Sequence, residues 1–176
     1  LEAGEMNTET VLDFLSSYKH EKTYIVWSEI LAGLSRLRNL YSKEDWISGY
    51  DTYVRDLLGP VIEYIGFEKR QNEAHSDTLL RSIVLSTASV YGVKKVVDHA
   101  KRMFKIGGIH PDVRGFVYGT YARHGGEQAY KKFVSMYKKE TLHEEKNRIA
   151  GALTHFRDTA LLSKTLEFAL SKDVRV

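Results

Sequence analysis

The chain has 176 residues, of which 43% are hydrophobic and 28% charged, and its formal net charge is +3. This is the composition of a soluble protein that folds into one large domain or a run of small stacked units. The absence of cysteine excludes disulfides, thiolate zinc sites and cysteine nucleophiles. The weak positive charge argues against a nucleic-acid-binding protein, and the longest apolar run, at residues 57–62, is too short to span a membrane.

The N-terminal segment, LEAGEMNTET, lacks a basic region followed by an apolar core, so we expect no signal peptide. It does not begin with methionine, and we expect the chain to be part of a longer polypeptide. Together with the absence of cysteine, these features favour a cytoplasmic protein that binds neither nucleic acid nor membrane.

Apolar residues recur at spacings of three and four almost throughout, which predicts helices. A first helix follows Asn7 and fades near His20. Ser42 and Asp45 predict a capped start for a later helix, which Pro60 should kink or split because proline lacks an amide donor. Between the first helix and this later one, an apolar stripe predicts a second helix, with Tyr24, Trp27, Ile30, Leu31, Leu34 and Leu37. These leading helices occupy residues 1–72.

A 33-residue period begins after the leading helices. The stretches VYGVKKVVDHAKRMF, RHGGEQAYKKFVSMY and FRDTALLSKTLEFAL align without a gap, so that Ala100, Phe133 and Leu166 coincide. Helical hairpins of one length must stack to bury their apolar stripes, which predicts an all-α, α-α superhelix, a HEAT- or armadillo-like solenoid of antiparallel helix pairs. The alternative is a helical bundle whose helices happen to have equal lengths. The predicted hairpins within the single domain 1–176 are 73–107, 108–140 and 141–173.

Glycine and proline mark the predicted turns. Pro111 suits the first turn of a helix, where a missing amide donor costs nothing. The pairs Gly107-Gly108 and Gly125-Gly126 predict left-handed conformations at helix C-termini. Neither pair belongs to a phosphate-binding pattern.

The segment TLHEEKNRIAGAL, residues 141–153, raises the question of a zinc site. His143-Glu144 begins like the zinc-peptidase H-E-x-x-H helix, but Asn147 stands where the second histidine is required. Thr141 and Glu144 instead have the spacing of a helix capping box. No two of the seven histidines lie closer than 11 residues, and no G-x-S-x-G segment occurs. We therefore predict no catalytic and no metal-binding residue in this chain.

Four tyrosines fall in the repeats and offer apolar area with a polar tip. They either line a concave groove or pack between helices, and packing is the favoured interpretation. They are Tyr118, Tyr121, Tyr130 and Tyr137.

The last third of the chain resembles the C-terminal helical domain of gluzincin zinc aminopeptidases, in the branch of puromycin-sensitive aminopeptidase and the tricorn-interacting factors. The resemblance covers residues 110–175 in order and is less specific before them. It rests on the segments His110 to Arg114, Glu144 to Ile149, Ala152-Leu153, Asp158 to Leu162, and Phe168 to Arg175.

The resemblance implies a parent enzyme whose catalytic machinery lies elsewhere. Members of the family carry a G-x-M-E-N segment, an H-E-x-x-H zinc helix with a distant glutamate ligand, and a catalytic tyrosine in upstream domains. None of these occurs here, so the zinc would belong to the parent's catalytic domain and the fragment alone would not cleave peptides. The helical domain would cap that catalytic domain and shape a chamber for peptide substrates. Family members continue with further helices, so an uncovered repeat face at Val176 could favour self-association.

A cation on the concave face would attract the terminal carboxylate of a peptide, and arginine can bind it with two parallel hydrogen bonds. The candidates for this substrate contact are Lys146, Arg148, Arg114 and His155. A second hypothesis is a free-standing α-solenoid adaptor that binds a peptide or protein partner. A third, less favoured, is a basic helical-repeat protein that binds nucleic acid.

Overall fold

The computed structural model describes residues 6–174, and every regular element in that range is an α-helix. The all-α class is confirmed, and the helical periodicity accounts for it. The helices are α1 (Thr8–Ser16), α2 (Tyr24–Leu40), α3 (Ile47–Ile65), α4 (His75–Val90), α5 (Lys94–Ile106), α6 (Pro111–Arg123), α7 (Glu127–Lys139), α8 (His143–Leu153) and α9 (Thr159–Ala169). None of these helices is both long enough and apolar enough to cross a bilayer.

The described helices divide into two compact units, with the boundary between Val93 and Lys94. Unit 1 contains α1 to α4, and there α4 packs against both α2 and α3. Its core includes the α2 stripe, since Trp27 and Leu34 are fully buried. The Trp27 indole N–H donates to the carbonyl of Glu21 at 2.9 Å, so the start of α2 is held to the preceding loop.

Unit 2 contains α5 to α9, and there α6 packs against α5 and α8 while α7 packs against α8. Aromatic rings fill its centre. Phe104 stacks on Tyr121 with centroids 3.8 Å apart and contacts Phe133 at 5.2 Å. Tyr118, Tyr130 and Tyr137 are buried. The interpretation that the repeat tyrosines pack between helices is confirmed.

The aligned core position of the 33-residue repeat is buried in two of the three copies. Ala100 and Phe133 are fully buried, whereas Leu166 is 67% exposed. Helices α6 and α7 fall within the predicted hairpin 108–140, and α8 and α9 within 141–173. The division into leading helices and three hairpins stays a prediction. The uncovered face expected at Val176 lies outside the described residues.

One expectation for α3 is wrong, and so is one part of another. The helix begins at Ile47 without a side-chain cap, so Ser42 and Asp45 do not start it. It continues to Ile65 with Pro60 inside, so the proline does not split it; a kink stays a prediction. Apolar side chains on both sides of the proline are buried, and this packing helps to offset the missing hydrogen bond. These side chains are Leu57, Leu58, Val61 and Ile62.

The turn predictions are confirmed at one glycine pair and wrong at the other. Gly107 and Gly108 have φ of 81° and 66°, and Pro111 lies in the first turn of α6. Neither Gly125 nor Gly126 is left-handed. Glycine is instead required at position 125 for steric reasons, since a Cβ there would lie 2.5 Å from the Ala129 Cβ.

Candidate functional site

A buried carboxylate in the first turn of α8 joins two of the four candidate residues. Glu145 is only 4% exposed. Its Oε2 accepts from Arg114 Nη1 of α6 at 3.1 Å and also from Arg148 Nη1, one turn later on α8. Arg148 Nη2 donates to Glu144 at 2.9 Å. The structure thus brings Arg114 and Arg148 together on one acid that the sequence did not single out as functional.

Arg114 also ties this cluster to the turn before α6. Its Nε donates to the Ile109 carbonyl at 2.9 Å, while its side chain remains 31% exposed. A buried carboxylate needs such partners because removing its charge from water is costly. The Glu145–Arg114 pair therefore fixes α8 against α6, and the exposed part of Arg114 still faces solvent.

Tyr118 adds a hydroxyl group to the surroundings of Glu145. Glu145 Oε1 is buried and has no hydrogen-bond partner among the described residues. Tyr118 lies beside this carboxylate; burial, and then the Glu145 charge, raise the pKa of its hydroxyl. Tyr118 thus stays protonated at neutral pH and keeps a donor next to the acid.

A cleft of about 390 Å³ opens beside this cluster in unit 2. It carries two cations, two carboxylates and an apolar wall, so it suits a peptide-like group with both polar and apolar parts. Its lining residues are Phe104, Gly107, Gly108, Ile109, Arg114, Tyr118, Lys132, Met136, Glu140 and Glu145.

The other two candidates contact aromatic and glycine residues. The Lys146 ammonium sits over the Tyr137 ring, 5.2 Å from its centroid. His155 is exposed on one side, while its ring lies against Gly119, where a Cβ would come within 3.3 Å of it. Desolvation, and then the charge of Arg123, lower the pKa of His155, so the imidazole is largely neutral at pH 7.

The capping box predicted for α8 is wrong. The helix begins at His143 after Leu142, with no side-chain cap. Glu140 takes that place, because its Oε1 accepts from the backbone N–H groups of Thr141 and Leu142 at 2.8 and 2.9 Å. These bonds lower the pKa of the Glu140 carboxyl. Glu144 instead pairs with Arg148, a partner that its i, i+4 spacing could have indicated.

Among residues 6–174, no group of three or more His, Asp or Glu side chains is placed to hold a metal ion. His143 belongs to no such group in this range. What the second unit does present is a stack of helices with a buried charge cluster beside an open cleft.

The fold defines the chain as an all-helical domain, and comparison with known families identifies which kind. The chain matches the ERAP1-like C-terminal domain family over residues 1–176 and belongs to that family. The resemblance to the C-terminal domain of zinc aminopeptidases is thereby confirmed, and it extends over the leading helices as well.

Similar proteins carry the names of aminopeptidases. The alanine/arginine aminopeptidase of Saccharomyces cerevisiae is 28% identical over 98% of this chain and 21% of its own length. Aminopeptidase M1-A of Oryza sativa subsp. japonica is 27% identical, over 98% of this chain and 21% of its own length. The puromycin-sensitive aminopeptidase of Caenorhabditis elegans is 24% identical over 98% of this chain and 19% of its own length. The chain spans about a fifth of the length of these relatives.

Proposed function

We propose that this chain is the C-terminal helical domain of a zinc aminopeptidase and shapes the chamber in which that enzyme holds its peptide substrates. The observation that carries the proposal is the family match over the entire chain, which corresponds to only a fifth of relatives named aminopeptidases. The zinc and the catalytic residues would lie in another domain of the same polypeptide, which would be the first partner of this one. The location would be cytoplasmic.

The charge cluster of unit 2 supports a wall of fixed shape. Glu145, Arg114 and the Ile109 carbonyl join α8, α6 and the turn before α6 through hydrogen bonds at and below the surface. Because such a network is costly to leave partly unpaired, it holds the helices in one arrangement. A chamber wall needs this property, since substrate contacts depend on the placement of the wall.

The four proposed substrate contacts differ in how available their side chains are to a substrate. Arg148 is engaged by Glu144 and Glu145, so its main effect should be on the packing of α8. Arg114 has an exposed part in the cleft, and Lys146 makes a cation–π contact with Tyr137 and lies near the Glu140 charge. His155, being largely neutral, would act as a hydrogen-bonding group and not as a cation. Lys146 is therefore the best residue for a test.

The test uses the full-length aminopeptidase that contains this domain. Lys146→Ala should raise KM for a peptide substrate about tenfold, the loss expected for a hydrogen bond to a charged group. Hydrolysis of a single-residue chromogenic amide should be unchanged, because so short a substrate does not reach the wall. Lys172→Ala, which removes an exposed lysine of the same unit, is the matched control and should change neither. Equal losses on both substrates would contradict the proposal.

A further inference from the structure

The two units carry opposite charge, although the whole chain is nearly balanced. Up to Val93 there are 9 Lys and Arg against 14 Asp and Glu, a net charge of −5; from Lys94 onward there are 17 against 9, a net charge of +8. The excess is concentrated on two helices. Helix α5 carries five cations and one acid, and α7 carries four lysines and one acid.

Five of these cations have no ion pair among residues 6–174. Elsewhere on the same helices, Lys94 pairs with Asp98 at 2.6 Å and Lys138 with Asp173 at 2.6 Å. Asp98, the acid of α5, is already bonded to Lys94. The five, which we call the basic surface, are Lys101, Arg102, Lys105, Lys132 and Lys139.

Helices α5 and α7, which carry the basic surface, contact each other through aromatic side chains. Phe104 of α5 lies against Phe133 of α7, with ring centroids 5.2 Å apart. Lys132 and Phe104 also line the cleft of about 390 Å³. Ile106, at the end of α5, is 83% exposed. Lys132, an aromatic ring and a concave cleft thus lie next to one another, and Lys105 and Ile106 follow Phe104 in the chain.

We propose that the basic surface binds an acidic peptide segment in which carboxylates flank a large apolar side chain. The carboxylates would contact Lys105 and Lys132, and the apolar side chain would enter the cleft against Phe104 and Met136 or cover Ile106. This extends the proposed function from peptides in general to acidic peptides and rests on it for its biological setting. The binding itself belongs to this chain alone.

Two other anionic partners fit the surface less well. Single-stranded nucleic acid binds to cations combined with exposed aromatic platforms. Here Phe133 is fully buried, and one face of the Phe104 ring is covered by Tyr121. An anionic membrane needs a broad apolar face for insertion. Within α5 to α7 the only large hydrophobic side chain that is strongly exposed is Ile106, in the part of the chain described here.

The experiment measures binding of blocked, fluorophore-labelled pentapeptides to the 176-residue chain by anisotropy. The acidic peptide has the sequence EELEE and the control peptide QQLQQ; acetyl and amide ends remove any terminal carboxylate. We expect EELEE to bind at least about tenfold more tightly than QQLQQ, with the difference shrinking as salt is added. Equal affinities would overturn the proposal.

Charge reversal locates the surface. Lys105→Glu combined with Lys132→Glu should weaken EELEE binding at least about tenfold, since each exposed pair contributes a factor of a few and reversal adds repulsion. Lys43→Glu, an exposed lysine of unit 1, should leave the affinity within about twofold. Undiminished binding by the double variant would overturn the assignment. So would binding to oligonucleotide or anionic vesicles, lost in the double variant, without binding to EELEE. Because the peptide is bound and not cleaved, failure here would leave the kinetic test of the chamber role intact.

Discussion

The buried ion pair of unit 1 provides the most quantitative prediction. Arg81 of α4 is 1% exposed, and its Nη2 donates to Glu73 Oε2 at 2.5 Å and to the Ile65 carbonyl at 2.6 Å. Glu73, whose side chain is 2% exposed, also accepts from Thr78 Oγ1 at 3.0 Å and from the Arg70 amide at 3.1 Å. The pair ties α4 to the end of α3 and to the loop between them.

We expect Glu73→Gln to destabilise the chain by about 3 kcal/mol at neutral pH. The Arg81 guanidinium, followed by the other hydrogen bonds, lowers the pKa of Glu73 from 4.5 to about 2. At about 1.4 kcal/mol for each pKa unit, this fall corresponds to at most about 3.5 kcal/mol, which solvent screening reduces to about 3 kcal/mol. Removing one partner of a buried pair typically costs about 3–5 kcal/mol, because the other charge is left without compensation.

The pH dependence has a definite sign. Because the pKa is lowered in the folded state, the ionised Glu73 stabilises the fold fully above the unfolded-state value of 4.5. This contribution is lost as the pH falls towards 2, where the folded carboxyl takes up its proton. The difference between wild type and Glu73→Gln should therefore fall to less than half near pH 3.

Urea denaturation of the 176-residue chain, followed by circular dichroism, measures these free energies of unfolding at neutral and acidic pH. Glu44→Gln is the control: it removes an exposed glutamate of the same unit and should change stability by no more than about 0.5 kcal/mol. A cost below about 1 kcal/mol for Glu73→Gln at neutral pH would refute the reasoning. So would a cost that does not shrink on acidification.

Two further predictions concern unit 2. Gly125→Ala should lower the free energy of unfolding by about 1–3 kcal/mol in urea denaturation, because the new methyl would lie 2.5 Å from the Ala129 Cβ and 2.7 Å from the Tyr121 carbonyl; Gly151→Ala, with open space around it, is the control and should not lose stability. His155 should titrate below its ordinary 6.5 in an NMR titration, since desolvation and Arg123 lower its pKa. Because the folded state favours the neutral ring, the contribution of His155 to stability is fully present above pH 6.5. It is lost as the pH falls through the pKa that His155 has in the folded state. His155→Gln should show a smaller loss of melting temperature on acidification than the wild type; an equal loss would show that other groups cause it.

The interior of the helices was predictable from the sequence because burial follows a simple periodicity. The stripe containing Trp27 and Leu34 is buried as expected, and so are Ala100 and Phe133 of the aligned repeats. Leu166 has the same position in the register but is exposed. Periodicity shows which face of a helix is apolar, but not whether a neighbouring helix covers that face.

The candidate site was only partly predictable. Arg114 and Arg148 were expected to face a ligand, and the structure places both on Glu145. The spacing of three residues between Glu145 and Arg148 is a local signal that indicates this contact. The spacing of 31 residues between Glu145 and Arg114 has no such signal, because it depends on how α6 and α8 pack.

The sequence by itself determined the helical class, the family and the apolar faces, because these depend on residue types at local spacings. The tertiary structure alone decided which charges are buried. Glutamate is ordinarily a surface residue, and local spacing does not show that the Glu73 and Glu145 side chains are buried while Glu44 and Glu144 are exposed. A carboxylate enters the interior only where folding brings a guanidinium to it, since the cost of burying the charge must be offset by that partner.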